Sequence, residues 1–516
     1  MKRPVNVLIP MAGQGKRFRQ AGYETYKPFL PIFGKPMIQY VLDAFPEHVT
    51  KRVLADRSLL TDEQLEYLQG QPDVLVHFVP SHNLGPAYSI YHARAELPLD
   101  EAFFIAYCDI YWTWDYAQVE SALDQDGVIF TRRRFHAHLV GNNYSAFCRP
   151  AAQDENALGE IREKGSFTEQ WMDEPLSIGV FYVRNGKSMM RAIEAMIAED
   201  RKVSQEFFPT LLFNDLVDAG QNIRLQDVDF FVHWGVPSQL EDLRTWVRTS
   251  RWLDEKPIAS DSVNVCCMAG AGTRMQGLGE VPKALMPVAS GELMFRYVAD
   301  RFGCGSTFFI IHEGMRAELR RRGVSERQLI DIGPPTTSQL ATLRMASGFL
   351  RTQARFFLTS CDAFGLWDPC AFQTFLECER PDAVVFTFEP TLLQGALGGS
   401  HTYVETDGRV VSKIHIKRKP HDGARGLAGF FWFNDGRIFG ELDRIPEDTG
   451  HELCADHVLK YMVERGQKVA AFPLDAYIHI GSPFELEEFA FWRKYHHIFP
   501  QHAAPDLVSA SYVTAR

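Results

Sequence analysis

No stretch of this chain offers the eighteen or so consecutive apolar, uncharged residues of a membrane span, so none is expected. The opening Met1-Lys2-Arg3-Pro4 leads into an apolar run too short for the core and cleavage site of a secretory signal. Cysteine is scarce and unpatterned: nine residues in 516, with no repeated CxxC spacing. That argues against a disulfide framework or a zinc ribbon, and all nine are expected as thiols in a cytoplasmic protein. Positive charge is also short. Lys and Arg number 54 against 65 Asp and Glu, a net charge of −11. Broad nucleic-acid binding is not expected of such a chain, although a local basic pocket for a small phosphate is compatible with it.

What is present is ordinary for a globular protein, 46% hydrophobic and 23% charged, and long enough for two or three domains. One pattern narrows that choice. A glycine-rich loop, Gly13-Gln14-Gly15-Lys16-Arg17, is followed by Lys27-Pro28 and Pro31; a second, Gly270-Ala271-Gly272-Thr273-Arg274, is followed by Lys283 and Pro287. Each follows a short apolar run, Val5 to Pro10 and Val263 to Met268, that reads as a buried strand ending in a turn. Glycines let backbone N–H groups approach a phosphate, and the arginine and lysine add positive charge.

The duplication continues along the chain. Tyr40, Asp43 and Phe45 match Tyr297, Asp300 and Phe302 at the same offset of 257 as the loops. Cys108-Asp109 and Trp114-Asp115 match Cys361-Asp362 and Trp367-Asp368 at 253, as do Ile161 and Lys164 with Ile414 and Lys417. Gly179 and Phe181 match Gly429 and Phe431 at 250, and Glu206, Gly220, His233, Gly235 and Pro237 match Glu452, Gly466, His479, Gly481 and Pro483 at 246. An offset that falls in one direction is the signature of duplication with small deletions. Strand-like runs (Val74–Pro80, Ala102–Ala106, Gly127–Thr131, Phe308–Ile311, Arg355–Thr359, Ala383–Phe388) alternate with helical periodicity (Met37–Phe45, Lys187–Ala198, Phe207–Ala219). This predicts mostly parallel mixed sheets covered on both faces, with ligands at the carboxyl ends of the strands. The expected division is a domain over 1–250, a linker over 251–262, a second domain over 263–500 and a loose tail over 501–516.

Neither loop is a dinucleotide fingerprint, since Phe18 fills the sixth position, and neither has the Gly-Lys-Ser/Thr ending of a kinase-type P-loop. The stretch Ile9-Pro10-Met11-Ala12-Gly13-Gln14-Gly15-Lys16-Arg17-Phe18, through Tyr26-Lys27-Pro28 and Gly34-Lys35-Pro36-Met37, resembles the sugar-phosphate nucleotidylyltransferases of bacterial capsule and lipopolysaccharide pathways. The second half resembles them more loosely, through Met268 to Arg274, Pro282-Lys283 and Met286-Pro287. The resemblance implies two tandem three-layer α/β/α Rossmann-like nucleotidyltransferase domains. It implies attack of a sugar-1-phosphate, or a related alditol phosphate, on the α-phosphorus of a nucleoside triphosphate, with release of pyrophosphate.

The same resemblance implies the roles. Gly13, Gly15 and Arg17 would cradle the triphosphate, Lys27 would neutralise the reacting phosphate, Asp109 would hold Mg²⁺ and Lys164 would grip the sugar phosphate. Gly270, Gly272, Arg274, Lys283, Asp362 and Lys417 would repeat these roles. Gly85, within His82 to Ala87, is placed near the nucleotide, as is Gly333 to Ser338. Where many relatives have a second metal-binding aspartate, this chain has His233 and His479, which would bond a phosphate or sugar hydroxyl instead. The blander readings stand beside these: Asp109 and Asp362 as helix N-caps, Lys164 and Lys417 as surface lysines, the histidines as structural. Arg132-Arg133-Arg134 with His136 and His138 reads as a solvated loop, and Trp114 and Trp367 as core.

Three functions stay open: two active transferase domains, one active domain beside a regulatory pseudoenzyme, and a related glycosyltransferase. The second half, with Ser290-Gly291-Glu292-Leu293 in place of Gly34-Lys35-Pro36-Met37, is the candidate pseudoenzyme. A glycosyltransferase would need an Asp-x-Asp motif, yet Asp109 and Asp362 are followed by Ile110-Tyr111 and Ala363-Phe364. The base, the sugar and any homo-oligomer are left open.

Overall fold

The computed structural model describes residues 5–136, 145–254, 260–270, 275, 281–396, 401–421, 424–445 and 453–499. Gly272, Arg274, His138, Glu452, the centre of the expected linker (255–259) and the expected tail (501–516) lie outside the described residues. The chain divides into two compact units, one of Met1–Leu243 with His497–Arg516 and one of Arg244–His496.

The first unit is built on β1 (Val5–Pro10), the small ribbon β2 (Pro31–Ile32) and β3 (Lys35–Pro36), β4 (Thr50–Ala55), β5 (Val74–Phe78), β6 (Ala102–Ala106), β7 (Ile110–Thr113), β8 (Gly127–Arg132), β9 (Phe147–Ala151), β10 (Asp154–Arg162), β11 (Leu176–Val183), β12 (Ile223–Asp227) and β13 (Phe230–His233). Nine of these form one sheet in the order β5-β4-β1-β6-β11-β8-β12-β10-β9, and β7 pairs with β13 in a separate ribbon. The second unit carries β14 (Val263–Cys267), β15 (Thr307–Ile311), β16 (Leu329–Asp331), β17 (Ala354–Ser360), β18 (Ala363–Leu366), β19 (Ala383–Phe388), β20 (Thr402–Asp407), β21 (Val410–His415), β22 (Arg425–Asp435), β23 (Val469–Pro473) and β24 (Ala476–His479). Its sheet runs β16-β15-β14-β17-β22-β19-β23-β21-β20, with β18 and β24 as the ribbon. Strand for strand the two orders are the same, so the repeat seen in the residues is a repeat of topology.

The sheets are mixed. In the first, β5, β4, β1 and β6 are parallel neighbours, whereas β11 runs antiparallel to both β6 and β8. Alternation along each strand feeds two cores, one on each face. Val7 and Ile9 of β1 join Ile38 and Val41 of the helix Met37–Asp43, while Leu8 joins Ala87 and Ile90 of the helix Pro86–Ala93. In the second unit Val265 and Cys267 face one core and Cys266 the other. Each unit is therefore three layers deep.

Most expected elements are found within a residue or two of their bounds. The helix expected over Phe207–Ala219 is shorter, a 3₁₀ turn at Pro209–Leu211 leading into Leu212–Asp218. Pro209 disfavours helical backbone in Phe208, which stays extended.

Candidate active site

β1 and β6 lie side by side and parallel, so their carboxyl ends open at the same edge. From β1 the chain passes through buried Met11 and Ala12 into exposed Gly13. Gly15 takes the left-handed conformation (φ 60°) at the N-terminus of the short helix Lys16–Gln20. A Cβ there would stand 3.2 Å from Cβ of Lys27, so glycine gives both backbone freedom and room for that lysine. Phe18, buried, pins the short helix, and the Tyr26 hydroxyl donates to the Met11 carbonyl. These contacts fix the turn Lys27–Phe29 against the loop.

The Lys27 ammonium donates to Asp109 Oδ2 at 2.6 Å and to the Gly235 carbonyl at 2.9 Å. Asp109 sits between β6 and β7 and is no helix cap, because a strand follows it. The ribbon sets what lies opposite: Ile110 pairs with His233, the Trp234 N–H donates to the Asp109 carbonyl at 3.1 Å, and His233 Nε2 is 3.8 Å from Asp109 Oδ2. Gly235 is required by crowding. A Cβ there would fall 2.5 Å from the His233 ring and 2.9 Å from Asp109 Oδ2. Burial disfavours the charged form of Asp109, but Lys27 and His233 outweigh it and hold the carboxyl at about 2.

The second half repeats this arrangement. Lys283 donates to Asp362 Oδ2, Ala363 pairs with His479, the Ile480 N–H donates to the Asp362 carbonyl at 2.8 Å, and His479 Nε2 is 3.4 Å from Asp362 Oδ2. His479 Nδ1 also lies 2.7 Å from Glu485 Oε1. Burial works against the imidazolium, yet Asp362 and Glu485 raise His479 above the usual range. Asp362 is held well below its ordinary value, Lys283 and His479 outweighing its burial.

Lys164 and Lys417 share a further feature. Each follows the end of a strand in the left-handed region, φ 56° and 49°, where a side chain with a Cβ is rarely found. Such strain persists only where the surroundings impose it, and recurs at functional sites. The Lys164 ammonium lies 4.7 Å from the Phe208 ring centroid. Beside it Glu163 accepts from Thr210 at 2.8 Å and is pushed up to about 7 by burial.

Other expected residues have plainer surroundings. Arg17 is exposed, and among the described residues its side chain makes no ion pair. Gly85, φ 88°, opens the helix Pro86–Ala93, and a Cβ there would meet the Phe207 backbone at 2.7 Å, so close packing already requires glycine. Gly270 pairs with Thr336 in an isolated bridge beyond β14. Trp114 and Trp367 pack among aromatic rings, including Phe104 and Phe357. The aspartates that follow them, Asp115 and Asp368, are the helix N-caps. Arg133 pairs with Asp227 at 2.9 Å, at the end of β8 rather than in a free loop.

Two residues at these sites escaped the sequence reading. Glu163 was legible only as the neighbour of Lys164. Glu485 was legible as the fourth residue of a Ser482-x-x-Glu485 helix start, a pattern that signals capping rather than contact with a histidine.

Among the described residues no three His, Cys, Asp or Glu are grouped as metal ligands. Each half instead offers one carboxylate, Asp109 or Asp362. That fits Mg²⁺, which commonly takes one or two protein carboxylates and fills its shell with phosphate oxygens and water.

Residues 7–202 match the MobA-like NTP transferase domain. No curated protein matches the chain. Among solved structures, a nucleoside-diphosphate-sugar pyrophosphorylase from Vibrio cholerae RC9 is 18% identical, spanning 46% of this chain and 98% of its own, with a TM-score of 0.39. The inositol-1-phosphate CTP transferase of T. maritima is also 18% identical over 46% of this chain and 92% of its own, TM-score 0.35. A UTP-bound UGPase from Acinetobacter baumannii is 16% identical over 46% and 91%, TM-score 0.36. The family match lies within the first unit and supports a nucleotidyltransferase, and the second unit repeats the first unit's strand order.

Proposed function

We propose that both halves transfer a nucleoside monophosphate from a nucleoside triphosphate to a sugar-1-phosphate or alditol phosphate, releasing pyrophosphate, to supply activated precursors of surface polysaccharide. One observation carries this reading. A lysine–aspartate pair backed by a histidine and a crowded glycine stands at the carboxyl end of adjacent parallel strands in each half. A half released from catalysis would have no reason to retain all four.

In this reaction an acceptor phosphate oxygen attacks the α-phosphorus and the bond to the β-phosphate oxygen breaks, so negative charge grows on oxygens already charged. The protein mainly positions and neutralises. Lys27 and Lys283 would neutralise the α-phosphate of a triphosphate bound over the glycine loop. Asp109 and Asp362 hold those lysines in place. Gly13 and Gly15, and by repetition Gly270 and Gly272, would give N–H groups to the triphosphate, with Arg17 and Arg274 on the departing pyrophosphate. Lys164 and Lys417, fixed by their strained backbone, would hold the acceptor phosphate. His233 and His479 would bond a phosphate or sugar oxygen. Mg²⁺, held by Asp109 or Asp362, would supply Lewis-acid neutralisation of the phosphate oxygens.

Incubation with a panel of nucleoside triphosphates, sugar and alditol phosphates and Mg²⁺ should release pyrophosphate. Silence across a broad panel would sink the proposal. The pseudoenzyme alternative requires that only one of the two aspartates matter to that release.

A further inference from the structure

Each half ties the strained lysine to a contact between a carboxylate and a threonine hydroxyl, but builds that contact from different positions. In the first half Glu163, the residue before Lys164, accepts from the Thr210 hydroxyl at 2.8 Å. In the second half the residue before Lys417 is Ile416, which is buried, and the acid is Asp456. Asp456 opens the helix Asp456–Glu464 and stands at the offset of 246 from Thr210. Its Oδ2 accepts from the Thr402 hydroxyl, whose oxygen accepts in turn from the Lys417 backbone N–H at 3.4 Å. The first half has no hydroxyl at the matching place. Ile161 pairs with Cys148 as Ile414 pairs with Val404, and two residues back along each strand stand Ala146 and Thr402.

Three positions therefore differ as a set: Glu163 against Ile416, Thr210 against Asp456, Ala146 against Thr402. Changed singly, each would leave a fault. Isoleucine for Glu163 would strip the Thr210 hydroxyl of its acceptor, and aspartate for Thr210 would set a second carboxylate against Glu163. Changed together, they keep one acid and one hydroxyl in contact where Thr210, Thr402 and Asp456 are all buried. Burial makes an unpaired polar group costly, so the pairing is what allows these residues to be there. A helix start by itself accounts for an acid at Asp456. It does not account for a hydroxyl on another strand placed between that acid and the backbone of Lys417.

We propose that Thr402 and Asp456 are positioning residues of the second site, fixing the left-handed backbone of Lys417 so that its ammonium meets the acceptor phosphate, as Glu163 and Thr210 do for Lys164. This rests on the reading of Lys417 as the holder of that phosphate. A hydroxyl has one proton and two lone pairs. Asp456 takes the proton, which turns the oxygen's lone pairs to the Lys417 N–H. Without that bond nothing on this side offsets the cost of a left-handed residue with a Cβ, and the lysine relaxes away from its working position. The second half has thus rebuilt the support of its acceptor lysine with new residues. A half kept only to bind a nucleotide would need no such replacement.

The test uses the full-length Asp109→Ala protein, whose remaining turnover belongs to the second half, with pyrophosphate release as the readout. Asp456→Ala should raise KM for the acceptor phosphate about tenfold, the loss of one hydrogen bond, while the nucleotide KM changes little. Asp456→Asn, whose Oδ1 still accepts from Thr402, should restore most of the affinity. The triple change Thr402→Ala, Ile416→Glu and Asp456→Thr gives the second half the first half's residues and should also bring the acceptor KM back towards the parent value. An unchanged acceptor KM in folded Asp456→Ala, an equal rise in both KM values, or a triple variant no better than Asp456→Ala overturns the inference alone. If Asp456→Ala does not fold, Thr402→Ser and Thr402→Val take its place, and equal acceptor KM values for those two overturn it. Silence of the parent chain towards every triphosphate and acceptor removes the transferase reading and this inference together.

Discussion

The Lys27 ammonium lies 2.6 Å from a carboxylate oxygen of Asp109, and both side chains are less than a fifth exposed, at 17% and 19%. Lys283 and Asp362 repeat the contact at 12% and 7%. An ion pair this sheltered from solvent is screened little by salt, and each partner fixes the other's position.

Lys27→Ala should lower first-half turnover by two orders of magnitude or more while the protein stays folded. An ammonium that neutralises charge in a transition state contributes on the order of 3 kcal/mol. Pyrophosphate release in an Asp362→Ala background, with a melting curve on the same sample, checks this. Normal turnover would show that Lys27 has no part in the reaction.

Asp109→Ala and Asp362→Ala should each remove one activity and leave the other, and the double variant should remove both. Each half holds its own lysine, aspartate, histidine and glycine. Complete loss from either single variant would show that the two sets act as one.

Gly235→Ala and Gly481→Ala should reduce turnover of their own halves at least tenfold with small changes in melting temperature. The new methyl group meets a histidine ring and a carboxylate oxygen, which yield by turning rather than by moving the backbone. Side-chain displacement costs little stability but spoils the alignment of Asp109 or Asp362. Unaltered kinetics would mean that the tight approach has no catalytic consequence.

Stability of the first half should fall as pH rises through about 7, and Glu163→Gln should remove that fall. Burial raises Glu163 above its unfolded value, so the folded state holds a proton that the unfolded state has already released. The stabilising contribution is full below the unfolded carboxylate pKa of about 4.3 and is lost as pH rises through the folded value. Melting temperatures of parent and variant should agree near pH 4 and diverge at pH 8 in favour of the variant. Parallel curves across that range would contradict the assignment.

The sequence disclosed most of the architecture because both period-2 runs and glycine turns are local, and because the repeat could be checked by subtraction. It did not disclose the antiparallel entry of β11 between β6 and β8, since nothing local in Leu176–Val183 states its direction. At the site, Lys27, Asp109 and His233 were legible as residues but not as a contact. Their meeting depends on the β7–β13 ribbon, formed by segments more than 100 residues apart. Glu485 was hidden for the same cause. It meets His479 through strand register and a helix cap, and no residue spacing records either.

The strand order also has a kinetic consequence. Lys27 reaches Asp109 across 82 residues and Lys283 reaches Asp362 across 79, each contact made only after β1 and β6, or β14 and β17, have zipped together. Closing such long loops is slow compared with forming the helices between them. Catalytic competence is therefore a late product of folding. On dilution from denaturant, helical signal should return first, and turnover should return only as fast as the parallel ladders are completed.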